Sequence, residues 1–282
     1  MPIRYPEILE LVDEPRTFSW TEHDAMLYAL AVGCGTEPTS VAGLRFVLED
    51  RLEVLPTFAS VACWSAGVSP QRMGIDRRLA LHASETVILH EPLPPHGSVL
   101  SSGRVLGAWD KGAKGAIIER EINLVDASNG RPLVSLRRTA VARGDGGFGG
   151  PADAPQSTAV PDREPDMTLS LPTRPEQALL YRLCGDRNPL HADPDAALAA
   201  GFKRPILHGL CMLGICCRAA FIAFPDLAVA AVSLVGARFS APVVPGETID
   251  IRFWRSSRAL DFEARVQARN AEVIRCGRME FR

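Results

Sequence analysis

Two kinds of hydrophobic spacing run through this chain, and each occurs twice in the same order. Apolar and polar residues alternate with period two over Ser98 to Leu106, Ala116 to Val125 and Leu133 to Val141, and again over Thr248 to Trp254, Asp261 to Ala268 and Val273 to Phe281. Alternation over runs this short predicts antiparallel strands with one buried face. Asp126-Ala-Ser-Asn-Gly130 supplies a hairpin turn between two of them. Ahead of each set stands a largely apolar stretch, Pro56-Thr-Phe-Ala-Ser-Val-Ala-Cys63 and Pro205-Ile-Leu-His-Gly-Leu-Cys-Met212. These predict the starts of longer helices, the second reaching about Phe224. Pro92-Leu-Pro-Pro-His-Gly97 and Pro242-Val-Val-Pro-Gly246 then introduce the strands, and Pro56 to Gly97 spans 41 positions, as does Pro205 to Gly246. Earlier in each half, Thr21-Glu-His-Asp24 and Thr173-Arg-Pro-Glu176 have the spacing of a capping box. The helical runs they open, Tyr28-Ala-Leu-Ala-Val-Gly33 and Tyr181-Arg-Leu-Cys-Gly185, close on a glycine suited to a helix C-terminus.

A chain of 282 residues has room for two such units. The segment from Ala142 to Pro165 is rich in Gly, Pro, Ala and Asp and reads as a connection. This gives a first repeat at 1–150, a linker at 151–165 and a second repeat at 166–282. The expected class is α+β, two repeats each with a long central helix wrapped by a curved antiparallel sheet. A composition of 46% hydrophobic and 23% charged residues, with a net charge of -2, has neither the basic footprint of a nucleic-acid partner nor an acidic tail. The seven cysteines are odd in number and lack Cys-x-x-Cys spacing, which fits thiols in a reducing compartment. Met1 to Glu10 lacks a basic region followed by an apolar run, and no apolar stretch reaches the roughly 18 residues that span a bilayer. A cytoplasmic protein without a membrane partner is expected.

The stretch from Tyr181 to Leu210 carries the candidate chemistry. Asp186 and His191 are five apart, so a helix would hold them about 140° apart around its axis. Gly185 ends the preceding helix, and Pro189 and Pro194 are expected to prevent another, leaving an irregular loop in which both side chains can converge on one water. A carboxylate and an imidazole so placed form an acid/base pair. Asn188 between them can bond the loop or a ligand carbonyl; alternatively, Asp186 and Asn188 only form an Asx-turn and His191 is a surface residue. Downstream, Gly209 stands where the long helix begins. Helix starts expose unpaired N–H groups, so Gly209 could hold a thioester oxyanion, or could simply permit close packing. His208 reads as a capping or packing residue.

With these residues in view, the chain resembles the (R)-specific 2-enoyl-CoA hydratases of the MaoC-like dehydratase family in their two-repeat form. The resemblance covers Tyr28-Ala-Leu-Ala-Val-Gly33, Phe46-Val-Leu-Glu49, Leu55-Pro-Thr-Phe58, Asp110-Lys-Gly112, Gly144 to Gly150, the segment Tyr181 to Gly209, and Ala237-Arg-Phe239. It implies a double hot dog fold, a catalytic pair of Asp186 and His191, an oxyanion N–H from Gly209, and a functional glutamate at Glu49, although Leu48 stands where relatives have Tyr. The first half has Cys34-Gly-Thr-Glu in place of the dyad segment, so one site per chain follows, with the first repeat giving room to the acyl tail. The implied reaction is syn hydration of a trans-2-enoyl thioester, or its reverse. Coenzyme A enters only as part of the substrate, no metal or redox cofactor is called for, and a homodimer is implied. Lys203, Arg204, His208 and Arg238, near the motif in sequence, are the candidate contacts for the coenzyme A portion.

Other signals are weaker. Gly144-x-Gly146-x-x-Gly149 matches a dinucleotide fingerprint but runs into Gly150-Pro151 instead of a helix. No Gly-x-Ser-x-Gly elbow is present. Cys211, Cys216 and Cys217 lie on an apolar helix and read as core. Two rivals remain, an acyl-CoA thioesterase on the same fold and a non-catalytic acyl-CoA binding subunit.

Overall fold

A computed structural model describes residues 2–37, 39, 41–77, 79–155 and 158–282. Its strands are β1 (Val12–Trp20), β2 (Ala80–Leu89), β3 (Gly97–Asp110), β4 (Ala116–Asp126), β5 (Pro132–Ala142), β6 (Met167–Pro172), β7 (Val232–Phe239), β8 (Thr248–Arg255), β9 (Ala259–Val266) and β10 (Ala271–Phe281). They form one antiparallel sheet in the order β1-β3-β4-β5-β2-β7-β10-β9-β8-β6. The six alternating runs of the sequence are β3, β4, β5, β8, β9 and β10. Their alternation is visible in β3, where every second residue from Val99 to Val105 is buried.

The two halves meet where β2 pairs with β7, and this ladder carries the internal symmetry. The offset that takes Pro56 to Pro205 takes Glu85 to Leu234 and Ile88 to Ala237. The ladder pairs Glu85 with Ala237 and Ile88 with Leu234, the reciprocal pattern of a two-fold interface between equivalent units. The repeat read from prolines and glycines is therefore also a repeat in space.

The central helix, Gly209–Ala223, is buried nearly all round, from Leu210 to Phe221, as expected for a helix with no polar face. One apolar cluster joins it to both halves: Tyr28, Phe58 and Leu136 from the first with Tyr181, Leu213 and Phe253 from the second. The first repeat departs from the expected pattern. Its helix is a 3-10 turn at Pro56–Phe58 and one α-turn at Ala59–Ala62, so among the described residues only the second repeat has a long central helix. Trp64 follows a residue, Cys63, that has left helical geometry (φ -120, ψ 40), and Ser65 has φ 77; the backbone turns away where the second-repeat helix continues past the equivalent Met212 to Ala223.

The capping boxes also differ. Thr21 behaves as expected, its N–H donating to the Asp24 carboxylate at 2.8 Å ahead of the helix Glu22–Ala31. Thr173 does not: its hydroxyl donates to the Glu247 carbonyl at 2.8 Å and accepts from the Gly246 N–H at 2.9 Å, tying the start of the repeat to the Pro-Gly turn. The box role shifts one place along, with the Arg174 N–H donating to the Gln177 side chain at 2.9 Å. In the glycine-rich segment, the N–H groups of Gly147 and Gly149 point at the Asp110 carboxylate, at 2.8 and 2.7 Å, joined by Gly112 at 2.8 Å. These donors hold the Asp110 carboxyl below its ordinary range. The protein's own carboxylate thus sits where a dinucleotide loop would hold phosphate.

Candidate active site

The helix Gln177–Tyr181 tightens into a 3-10 turn, Arg182–Cys184, and stops at Gly185 with φ 134. That backbone conformation is open to glycine and strained for other residues. A Cβ there would also stand 2.9 Å from the Trp64 Cβ. Asp186 follows, partly buried. Its Oδ1 accepts the Asn188 N–H at 3.1 Å, and the Asn188 Oδ1 accepts the Leu190 N–H at 3.2 Å. Asn188 therefore bonds the loop, and the Asx-turn coexists with convergence of the pair. The prolines act differently from the expectation. Pro189 opens a 3-10 turn, Pro189–His191, and Pro194 opens the helix Pro194–Ala199 behind the Asp193 cap. Proline's fixed φ suits a first helical position, so the segment is two short helical pieces and not an irregular loop. The 3-10 turn is what swings His191 back toward Asp186.

Asp186, His191 and His208 each present a ligand atom within 4.8 Å of the others. The His191 Nδ1 lies 2.8 Å from the Ile206 carbonyl. A carbonyl only accepts, so Nδ1 carries the proton and Nε2 keeps a bare lone pair. Burial pushes the His191 pKa down, against the opposing pull of the Ile206 bond and the Asp186 charge, and the ring is neutral at pH 7. His208 is 1% exposed. Its Nε2 donates to the Asp186 carbonyl at 3.2 Å, and its ring stacks on His191 with centroids 3.7 Å apart at 27°. Burial, reinforced by the His191 ring, pushes the His208 pKa down to about 3. His208 thus ties the Asp186 backbone to the helix start and backs the His191 ring. Of the ring nitrogens, the His191 Nδ1 is committed to the Ile206 carbonyl and the His208 Nε2 to the Asp186 carbonyl, which leaves one bare nitrogen on each ring.

His208 is the residue before the central helix, and its side chain does not cap it. The Gly209 N–H is therefore one of the donors that a helix start leaves without an intrahelical partner. A Cβ on Gly209 would come within 3.1 Å of the Phe239 ring, so the glycine serves close packing whatever else it does. A buried base, an adjacent carboxylate and an uncapped helix start can together take a proton from water and stabilise charge on a nearby oxygen.

The remaining expected residues bond to none of Asp186, His191 and His208 among the described residues. Glu49 opens an exposed 3-10 turn, Glu49–Arg51, and its side chain bonds to none of the described residues. Lys203 and Arg204 are exposed on the turn ahead of His208. Arg238 is exposed and neighbours Phe239 on β7, so strand alternation sends it to the opposite face from Gly209. There it lines a cavity of about 320 Å³ with Ser84, Thr86 and Trp109. Sequence reading missed the Ile206 carbonyl, which fixes the tautomer, and Trp64, which seats Gly185. Neither has a local signature, because each acts through a contact distant in the chain.

One sheet around a single long helix, with two equivalent halves meeting at a shared ladder, defines a double hot dog. A Mycobacterium tuberculosis protein described as having a double hotdog fold superposes with a TM-score of 0.57 at 15% identity over 96% of both chains. The MFE-2 hydratase 2 N-terminal domain matches residues 18–144, and the MaoC like domain matches residues 156–275. An enoyl-CoA hydratase of Mycobacterium tuberculosis is 43% identical over 282 residues, 98% of each chain. A MaoC-like dehydratase from Phytophthora capsici has a TM-score of 0.87 at 30% identity, covering 99% of this chain and 98% of its own. The chain belongs to the MaoC-like dehydratase family, in its two-repeat form.

Proposed function

We propose that this protein is an (R)-specific 2-enoyl-CoA hydratase, a hydro-lyase acting reversibly on trans-2-enoyl and (3R)-3-hydroxyacyl thioesters. The observation that carries the reading is the neutral His191, its Nδ1 proton spent on Ile206 and its Nε2 left bare, on a ring that has a nitrogen within 4.8 Å of the Asp186 carboxylate. In the hydration direction His191 takes a proton from a water held with Asp186, and the oxygen bonds to C3. Electron density moves to the thioester oxygen, which the Gly209 N–H stabilises, and C2 then takes the proton from the same side. The enolate is where charge develops, and a preorganised donor is worth most there.

Lys203 and Arg204, on the exposed approach to the helix start, are the proposed contacts for coenzyme A phosphates. Arg238, on the other face of the sheet, is less suited to that role. The short helix of the first repeat leaves the acyl tail to lie on that side. We place the protein in the cytoplasm, where seven free thiols are stable, and expect it to work as a homodimer. No helix among the described residues is long and apolar enough to cross a membrane.

The purified protein is expected to convert crotonyl-CoA or a longer enoyl-CoA to the (3R)-hydroxy product, followed by loss of enoyl absorbance and chiral analysis. Asp186→Asn and His191→Gln should each slow turnover by about 10²-fold or more with the fold intact. Free thiol release without hydration would favour a thioesterase, and near-normal rates in both variants would remove the dyad. Full activity in Glu49→Gln would take Glu49 out of the site.

A further inference from the structure

The first repeat contains a buried ion pair that the reaction does not use. Glu85 on β2 is fully buried, and directly across the ladder stands Arg138 of β5, 7% exposed. The Arg138 Nε lies 3.1 Å from each Glu85 oxygen. The Ser60 hydroxyl donates to Glu85 at 2.9 Å, the Ser60 carbonyl accepts from Arg138 at 2.8 Å, and the His82 Nε2 reaches Glu85 at 3.1 Å. Burial pushes the Glu85 carboxyl up, but Arg138, His82 and Ser60 together outweigh it and hold it ionised. The corresponding cross-strand pair in the second repeat is Leu234 with Glu280, so a hot dog unit does not need this ion pair to form.

Its location follows from the internal symmetry. The offset that takes Pro56 to Pro205 takes Ser60 to Gly209. Ser60 therefore occupies, in the first repeat, the place where the second presents its candidate oxyanion donor, and Glu85 sits against it. The degenerate site is filled by the protein's own carboxylate. From there two contacts run to the working half. Arg138 lies over the Trp64 ring, 5.9 Å from its centroid, and Trp64 packs against Gly185, the residue before Asp186. His82 meets Phe239 edge to face at 5.1 Å, and Phe239 packs on Gly209.

We propose that the Glu85–Arg138 pair plugs a vestigial carbonyl site and positions the live one, Trp64 setting the Asp186 loop and His82 setting Phe239 against Gly209. These are positioning residues, and the idea rests on the hydratase reading for its kinetic arm only. Removing one partner leaves a buried charge unpaired and can unfold the protein, whereas replacing both with apolar groups is often tolerated. The test variant is therefore Glu85→Leu with Arg138→Met, folded by circular dichroism. Its kcat for enoyl-CoA hydration should fall by about 10-fold or more, with KM within about 3-fold, because misplacement near the chemistry costs turnover before binding. Trp64→Leu should also lower kcat, yet add little in the double-variant background. Unchanged kcat, or fully additive losses, would overturn the proposal.

An arm independent of activity uses protein labelled with nitrogen-15 glycine. The amide signals of Gly185 and Gly209 should move in the double variant, while those of Gly112 and Gly130, on remote turns, stay put. Unmoved Gly185 and Gly209 signals overturn the positioning role. A wild type that does not hydrate enoyl-CoA defeats the hydratase reading, and the glycine signals then decide the positioning alone.

Discussion

At the scale of single residues, the pair of stacked histidines has a thermodynamic consequence besides its chemical one. Both pKa values are lowered by burial, His208 to about 3, so the folded protein binds fewer protons than the unfolded chain between the ordinary imidazole value near 6.5 and that depressed value. Stability is then fully present above about pH 6.5 and is lost as the pH falls, by up to about 1.4 kcal/mol per pH unit for each such group. Replacing His208 with Phe, which keeps the stacked ring but cannot protonate, should flatten this slope. Urea unfolding at pH 7 and pH 5 would read it, and an equal loss of stability in wild type and His208→Phe would show that His208 does not contribute. This stacking has no signature in the residue pattern. His191 and His208 are far apart in the motif, and only the Pro189–His191 turn, a piece of helix that the prolines were expected to forbid, brings them face to face.

At the scale of elements, the strands that alternate were legible and the four that do not were missed, for physical reasons. β1 and β6 are the edges of the sheet, and β1 is mostly exposed, so no buried face imposes period two. β2 and β7 lie at the centre, where Glu85 is a charge on a buried face and Gly236 breaks the apolar run. The missing first-repeat helix was misread because Pro56 to Cys63 is as apolar as its counterpart, and apolarity alone does not fix helix length. Gly185 was legible as a helix end, but not the severity of its role. With φ 134 and Trp64 against it, Gly185→Ala combines backbone strain with a contact that neither backbone can relieve. It should cost about 1–3 kcal/mol of stability and lower turnover more than Gly209→Ala, which meets the Phe239 ring at 3.1 Å but has no left-handed backbone to strain. Denaturant midpoints and kcat on the two variants check the ranking, and a harmless Gly185→Ala would show that the loop before Asp186 tolerates movement.

At the scale of the whole molecule, the boundaries at 1–150 and 166–282 divide a sequence repeat but not a core. β2 and β7 are each other's neighbours at the sheet's centre, so separating the halves would open an edge on both. The interior is shared as well: Tyr28 and Tyr181 rings lie 5.9 Å apart, the Gln177 side chain donates to the Ala31 carbonyl at 3.1 Å, and Arg218 of the central helix donates to the Gly33 carbonyl. The second half owns Asp186, His191 and Gly209, yet Trp64 and His82, which press on that site, belong to the first. Expressed alone, either half is expected to be insoluble or loosely folded. Expressed together as separate chains, they should associate through the β2/β7 ladder and recover hydratase activity, because the connection from 151 to 165 carries no residue of the dyad. Gel filtration with an activity assay reads both outcomes. A second half that folds and turns over substrate by itself would mean that the first repeat contributes neither the sheet edge nor the bracing assigned to it, and that the catalytic hot dog is self-sufficient.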